Sequence, residues 1–399
     1  MVRGMIDTEG RLLKLIERQE DMIGNAATGR ANTATLHVSP DGTGADGLSW
    51  RTAYTTLNLA LDACSTDAND LTLVLMAPGT YDINATGIPS WAANVAIQGT
   101  HRMFTTITNT NGTQQAIMRL TGHSVVSDVR FDLVDNASPC NGLIMQGIGA
   151  RVYRCYFDGS ALATDPGISL MMNDTDYCKV IDCDFVGETT YNTALQVNGM
   201  PGGIFDKLRI HSCLNGIWIL GADCDYNSFS NIDIGECAIG INIDAGSEQH
   251  FSNINFHHNT TNVDDEVCDH AWDNIKGDFP ITIYPDNLTG ITLAADVAAN
   301  VWGTTTLIRA GALVALKPFR VLGVIGQPVV AQLHELRLRE DIENIYFDHM
   351  MIESTRGVSS PAPSGTGYIF NCLTPISGGI KAASGGSDEM QVWLKIQEI

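Results

Sequence analysis

The sequence predicts an all-β chain whose long central part is a right-handed parallel β-helix. Three observations predict it: a degenerate repeat, short apolar strands with almost no helical periodicity, and a polar fraction rich in Asn, Thr, Ser and Gly rather than charge. Six segments share the pattern apolar-x-x-apolar-x-(Phe/Ile). They are Val126 to Phe131, Val152 to Phe157, Val180 to Phe185, Phe205 to Ile210, Phe229 to Ile234 and Phe251 to Phe256. Their starts lie 26, 28, 25, 24 and 22 residues apart. A second short apolar strand precedes each: Ile117–Leu120, Leu143–Met145, Ile168–Met172, Ala194–Val197, Ile217–Ile219 and Ile239–Ile243. A repeat of that length holding two or three short strands makes one coil of a solenoid. It is too short, and wrongly patterned, for paired helices.

Stacked coils lie about 4.8 Å apart, so equivalent residues form columns. The first column reads Val126, Val152, Val180, Phe205, Phe229, Phe251. The fourth position reads Val129, Cys155, Cys183, Leu208, Ile232, Ile254, and the sixth Phe131, Phe157, Phe185, Ile210, Ile234, Phe256. All are apolar and should point inward. The third position reads Asp128, Arg154, Asp182, Lys207, Asn231, Asn253. Alternating sign avoids like charges on adjacent strands, and the asparagines mark a bend between strands.

The start of the solenoid adds a resemblance. Asp46, Gly47, Ser49, Trp50, Thr52 and Ala53, then Pro78, Gly79 and Tyr81, match the D-G-x-S-W-x-T-A and P-G-x-Y segments that open many β-helices of the pectin-lyase-like superfamily. The resemblance spans roughly residues 36–275. It implies a capping helix over Tyr54–Cys64 and a P-G-x-Y segment that closes the first coil; Ser49 or Thr52, after Leu48, reads as the cap of the helix. The helix would cover the open end of the stack, where unpaired strand edges invite association. The superfamily includes lyases, hydrolases, epimerases and non-catalytic virion proteins, so the resemblance implies fold more than activity. Gly42, Gly44 and Gly47 also spell G-x-G-x-x-G, but no strand-to-helix junction frames them, and they read as a turn.

Three domains are expected. Residues 1–34 form an N-terminal helical anchor and linker, residues 35–280 the β-helix, and residues 281–399 a C-terminal antiparallel β-sandwich, jelly-roll-like. The first rests on an apolar stripe that includes Leu12, Ile16 and Ile23, on a helix too short to be stable alone. It is read as a docking or trimerising element. The last rests on about seven alternating segments separated by Gly, Pro and Ser turns. It resembles the β-domains that follow β-helices in viral spikes and fibres.

Formal net charge is −22. That sign disfavours nucleic acid and anionic membrane surfaces. No apolar run is long enough to span a bilayer, and the N-terminus has no secretory apolar region. The ten cysteines show no CxxC spacing and read as reduced, buried thiols, with a disulfide between stacked coils as the alternative.

Glycan chemistry on this fold needs carboxylates on the outer face. Asp182, Asp184 and Asp233, with Tyr156 and Arg209 in neighbouring coils, form the candidate glycan-binding set. The same spacing reads as a charge-balanced ladder: Asp182 between Arg154 and Lys207, Asp184 between Tyr156 and Arg209. Galacturonase-like N-T-D, G-H-G and R-I-K segments are missing, so no catalytic residue is assigned. His257, His258 and His270 lie among carboxylates and are weak metal candidates, though their spacing fits no zinc template. No cofactor is expected. The leading functional expectation is a homotrimeric virion surface protein: a capsid decoration or turret, spike or tail fibre. It would attach to capsid or tail proteins through its N-terminal helix and meet host-surface glycans. A polysaccharide lyase or hydrolase of tailspike type, and a non-viral cell-surface adhesin, are the alternatives.

Overall fold

The computed structural model describes residues 32–277, apart from short internal stretches at 68–69, 92–93, 114, 135–139, 163–165, 266 and 268–269, and then ten strands between 281 and 398. The expected N-terminal helix, with Leu12, Ile16 and Ile23, lies outside the described residues. Two compact units are present. One runs to residue 246 and takes in 258–261; the other comprises 247–257 and the residues from 262 onward.

The first unit is a right-handed parallel β-helix. The expected register is realised residue for residue. Val126, Val152, Val180, Phe205 and Phe229 pair in succession on neighbouring coils. So do Phe131, Phe157, Phe185, Ile210 and Ile234. Every member is fully buried. Like side chains meet face to face: Phe131, Phe157 and Phe185 stack at 5.1 and 4.8 Å between ring centroids, and Phe205 stacks on Phe229 at 4.5 Å. Each buried aromatic removes roughly 150–250 Å² from water, so these files dominate the stability of the stack.

The second strand of each coil forms a separate parallel sheet. Its strands are Ala116–Thr121, Asn141–Gln146, Gly167–Asn173, Asn192–Asn198, Asn215–Leu220 and Ile239–Ile243. They pair in that order.

The bend expected at the two asparagines recurs in every coil. Asp128, Arg154, Asp182, Lys207 and Asn231 all adopt left-handed backbone, with φ between 49° and 57°. One such residue lets the chain turn sharply between two three-residue strands. The conformation costs a non-glycine residue about 1–2 kcal/mol, which the packed columns on both sides offset.

The first coil is capped as expected, by a shorter helix. Leu57–Asp62 buries Leu57, Ala60 and Leu61. Its N-cap is Thr56, whose Oγ1 accepts from the Leu59 amide; Ser49 and Thr52 are not the cap. They close a preceding turn, with Thr52 N–H donating to the Ser49 carbonyl. The chain is still extended at Tyr54, which bridges Val38, so a helix cannot begin that early. The glycine-rich stretch is a turn: Gly44 N–H donates to Ala53 O and Gly47 N–H to Thr52 O. Tyr81 closes the first coil through its hydroxyl, which donates to Ala77 O at 2.8 Å and Val38 O at 3.2 Å.

In the second unit, His250–His257 pairs in parallel with Ala271–Asp273, and Phe251 stacks on Trp272 at 4.2 Å. Beyond residue 280 the strands form two antiparallel sheets, of six and four strands. The alternation read from sequence is a burial pattern: Met390, Val392, Leu394 and Ile396 are buried along Glu389–Glu398, as are Leu336 and Leu338 on His334–Glu340.

The eight described cysteines are free and buried, so no disulfide links the stacked coils at Cys155, Cys183, Cys213 or Cys237. Burial opposes thiolate formation, pushing Cys64 to about 11 and Cys178 to about 12.

Candidate functional site

The outer face of the first unit is built by the strand that follows each left-handed bend. Its central residue points inward, so the residues on either side point out. In-register pairing therefore places Arg130, Tyr156, Asp184, Arg209 and Asp233 in one outward column. Four of the five candidate glycan-binding residues occupy successive positions in it. Asp182 stands beside them, at the bend two residues before Asp184.

The column is held by charge-assisted hydrogen bonds. Arg209 grips Asp184 with both arms of its guanidinium, Nε to Oδ1 at 2.7 Å and Nη2 to Oδ2 at 3.0 Å. Arg102 approaches the same carboxylate, Nη2 to Oδ2 at 2.9 Å, and its Nη1 donates to the Asp182 carbonyl at 3.0 Å. Asp184 thus accepts two guanidinium hydrogen bonds from Arg209 and makes an ion pair with a second guanidinium, that of Arg102. The hydrogen bond to Asp184 raises the Arg209 pKa above its ordinary value.

Two coils before Asp184, Arg130 donates to Asp132 and to Asp158, the latter at 2.9 Å, and its guanidinium lies 5.4 Å from the Tyr156 ring centroid. Burial alone would lower the Arg130 pKa, but the hydrogen bond and charge of Asp132, with Asp158, outweigh it and raise it. Burial is also the main cause of the raised Tyr156 pKa. At the bend column, Arg154 holds Asp128 with both arms, at 2.7 and 2.6 Å.

The ladder is realised with one change of partner. Arg154 takes the acid of the preceding coil, Asp128, and the cation beside Asp182 is Arg102, at 4.0 Å. Arg102 escaped the sequence reading because it is 80 residues away, outside the repeat, on a turn after the strand Val95–Gly99. Asp233 lies 3.8 Å from His211 Nε2.

The histidines take separate roles. His257 ends a strand, and His258 follows with left-handed backbone, φ 55°. His270 is buried, with Nδ1 accepting from the Gln249 amide at 3.3 Å and Nε2 3.5 Å from Asp265 Oδ1. That arrangement orients the ring toward one carboxylate inside the second unit.

These features define a right-handed parallel β-helix with a ladder of ion pairs on one outer face. No protein-family model and no curated protein matches the chain. Among solved structures, it is similar to pectin methylesterase from Aspergillus niger, at 17% identity over 62% of this chain and 86% of that one, TM-score 0.34. It is similar to the catalytic domain of an α-1,3-glucanase in complex with nigerose, at 11% identity over 60% of this chain, TM-score 0.39; it spans 46% of that domain. It is also similar to the enzymatically active domain of tailspike protein 4 of bacteriophage CBA120, at 11% identity over 88% of this chain and 67% of that one, TM-score 0.29. At such identities the likeness concerns the fold alone. No helix among the described residues is long and apolar enough to cross a membrane.

Proposed function

We propose that this chain is a structural protein of a virion surface, a spike, fibre or capsid decoration that assembles as a homotrimer and contacts host-surface glycans. The observation that carries this reading is the ion-pair ladder. The outer-face carboxylates Asp128, Asp158 and Asp184 are each tied to a guanidinium of a neighbouring coil. A face so neutralised suits a stiff shaft. The two antiparallel sheets that follow in sequence supply a second kind of unit, suited to subunit packing or receptor contact. The apolar stripe of Leu12, Ile16 and Ile23 is the proposed attachment to capsid or tail.

The test is the mass of the full chain in solution by light scattering. Three chain masses at micromolar concentration support the proposal, and a monomer overturns the assembly it requires. A parallel assay for new reducing ends and unsaturated products on capsular and pectic polymers addresses the enzymatic alternative. Turnover that disappears in Asp184→Ala would replace the shaft reading with a glycan-cleaving one.

A further inference from the structure

Four Asn-Gly pairs occur in the sequence, beginning at Asn111, Asn141, Asn198 and Asn215. Each carries a latent reaction. The glycine amide nitrogen can attack the asparagine side-chain carbonyl, because glycine has no Cβ to obstruct the approach. How the fold holds each pair decides whether it reacts.

Three pairs are held by the sheet of second strands. Asn141-Gly142 and Asn215-Gly216 open the strands Asn141–Gln146 and Asn215–Leu220. Both glycines are buried, and a Cβ there would meet Ser169 O at 2.3 Å or Gly240 O at 2.5 Å. Asn198 ends the strand Asn192–Asn198. Its Nδ2 donates to Asn173 Oδ1 at 2.8 Å, and Gly199 N–H donates to Leu220 O at 3.4 Å.

Asn111-Gly112 is held differently, in the turn between the strands Thr105–Thr108 and Ala116–Thr121. Gly112 is exposed, and a Cβ there would meet nothing within 4 Å. Its N–H makes no hydrogen bond among the described residues. Asn111 Oδ1 accepts from Thr113 N–H at 3.0 Å and from Thr113 Oγ1 at 2.9 Å. A backbone N–H only donates, so the atom it meets is the amide oxygen. The ring closed by that hydrogen bond contains the Gly112 nitrogen. Two donors on Oδ1 polarise the carbonyl and stabilise the negative charge it gains on attack, as an oxyanion hole does.

We propose that Asn111 is a self-modifying site, converted by attack of the Gly112 nitrogen into an aspartyl or isoaspartyl residue. The Gly112 amide gives its proton to solvent base, and its nitrogen bonds to Asn111 Cγ. The Cγ–Nδ2 bond breaks, and Nδ2 takes a proton from water and leaves as ammonia. Water then opens the cyclic imide at either carbonyl. The net change is hydrolysis of an amide to a carboxylate, with water as the sole co-reactant. The turn gains a negative charge, and the isoaspartyl product lengthens the backbone there by a methylene. This inference is independent of the proposed function.

The experiment is incubation of the full chain at mildly alkaline pH, folded and in urea, with peptide mapping by mass spectrometry at all four asparagines. In the folded chain Asn111 should convert, at least as fast as in urea, while the other three persist. In urea all four should convert. Gly112→Ala, whose Cβ enters open space, should slow conversion about tenfold by restricting the attacking backbone. Thr113→Val removes one of the two donors and should slow it about two- to tenfold. Melting curves that match the parent show that neither variant acts through lost folding. An Asn111 that persists in the folded chain as long as the other three overturns the proposal. A parental rate in Thr113→Val overturns the part assigned to Thr113.

Discussion

The interior and exterior columns of the solenoid obey opposite rules, and the difference follows from one geometric fact. In-register parallel stacking sets each residue on its own equivalent in the next coil. Inside, sameness stabilises: Phe157 between Phe131 and Phe185 loses no packing by having identical neighbours. Outside, sameness is costly for charge, so sign changes from coil to coil, as at Asp128 and Arg154 or Asp184 and Arg209. An apolar column can therefore repeat a residue type, while a charged column either changes sign or, where Asp132 and Asp158 pair, shares one guanidinium, that of Arg130.

The largest effect should come from breaking an interior file. Phe157→Ala opens a cavity between two phenyl rings and should lower unfolding free energy by about 3–5 kcal/mol, read from a denaturant titration. A loss below about 1 kcal/mol would mean that the stack is not the principal source of stability.

The thiols sharpen the same comparison through pH. Burial raises Cys178 from its ordinary 9.0 to about 12, so the folded chain holds that proton more tightly than the unfolded one. Its contribution is complete below about pH 9 and is lost as pH rises toward 12, at up to about 1.4 kcal/mol per pH unit. Cys178→Ala removes that dependence. Its melting-temperature deficit relative to the parent chain should therefore shrink between pH 8 and 11.

On the exterior, Arg209→Asp sets a third carboxylate between Asp184 and Asp233. It should cost about 1–2 kcal/mol at low salt and less at high salt. The exchange Asp184→Arg with Arg209→Asp should recover only a minor part of it, because it sets a guanidinium against Arg102 and a carboxylate against Asp233; melting curves of the two variants would show this. The smallest effect is a gain. Lys207 is exposed with φ 55°, and Lys207→Asn should stabilise by about 0.5 kcal/mol, because Asn tolerates that backbone better.

Sequence alone revealed whatever repeats. The columns through Val152 and Phe157, the second strands and the Asp184–Arg209 pair all follow from a spacing of about two dozen residues. Arg102 was hidden because its reach depends on how a turn folds back over later coils, which no spacing encodes. The choice of Asp128 over Asp182 by Arg154 was hidden too, since both lie one coil away and only rotamers decide. A two-coil signal is present as well: Asp-Tyr occurs at 176–177 and again at 225–226.

That two-coil rhythm limits how such a shaft can change length over evolution. Deleting one coil, the one that carries Arg154, would bring Asp128 against Asp182. Deleting two would bring it against Lys207, and the alternation would heal. The molecule behaves as a ruler graduated in pairs, lengthening or shortening most readily by an even number of turns.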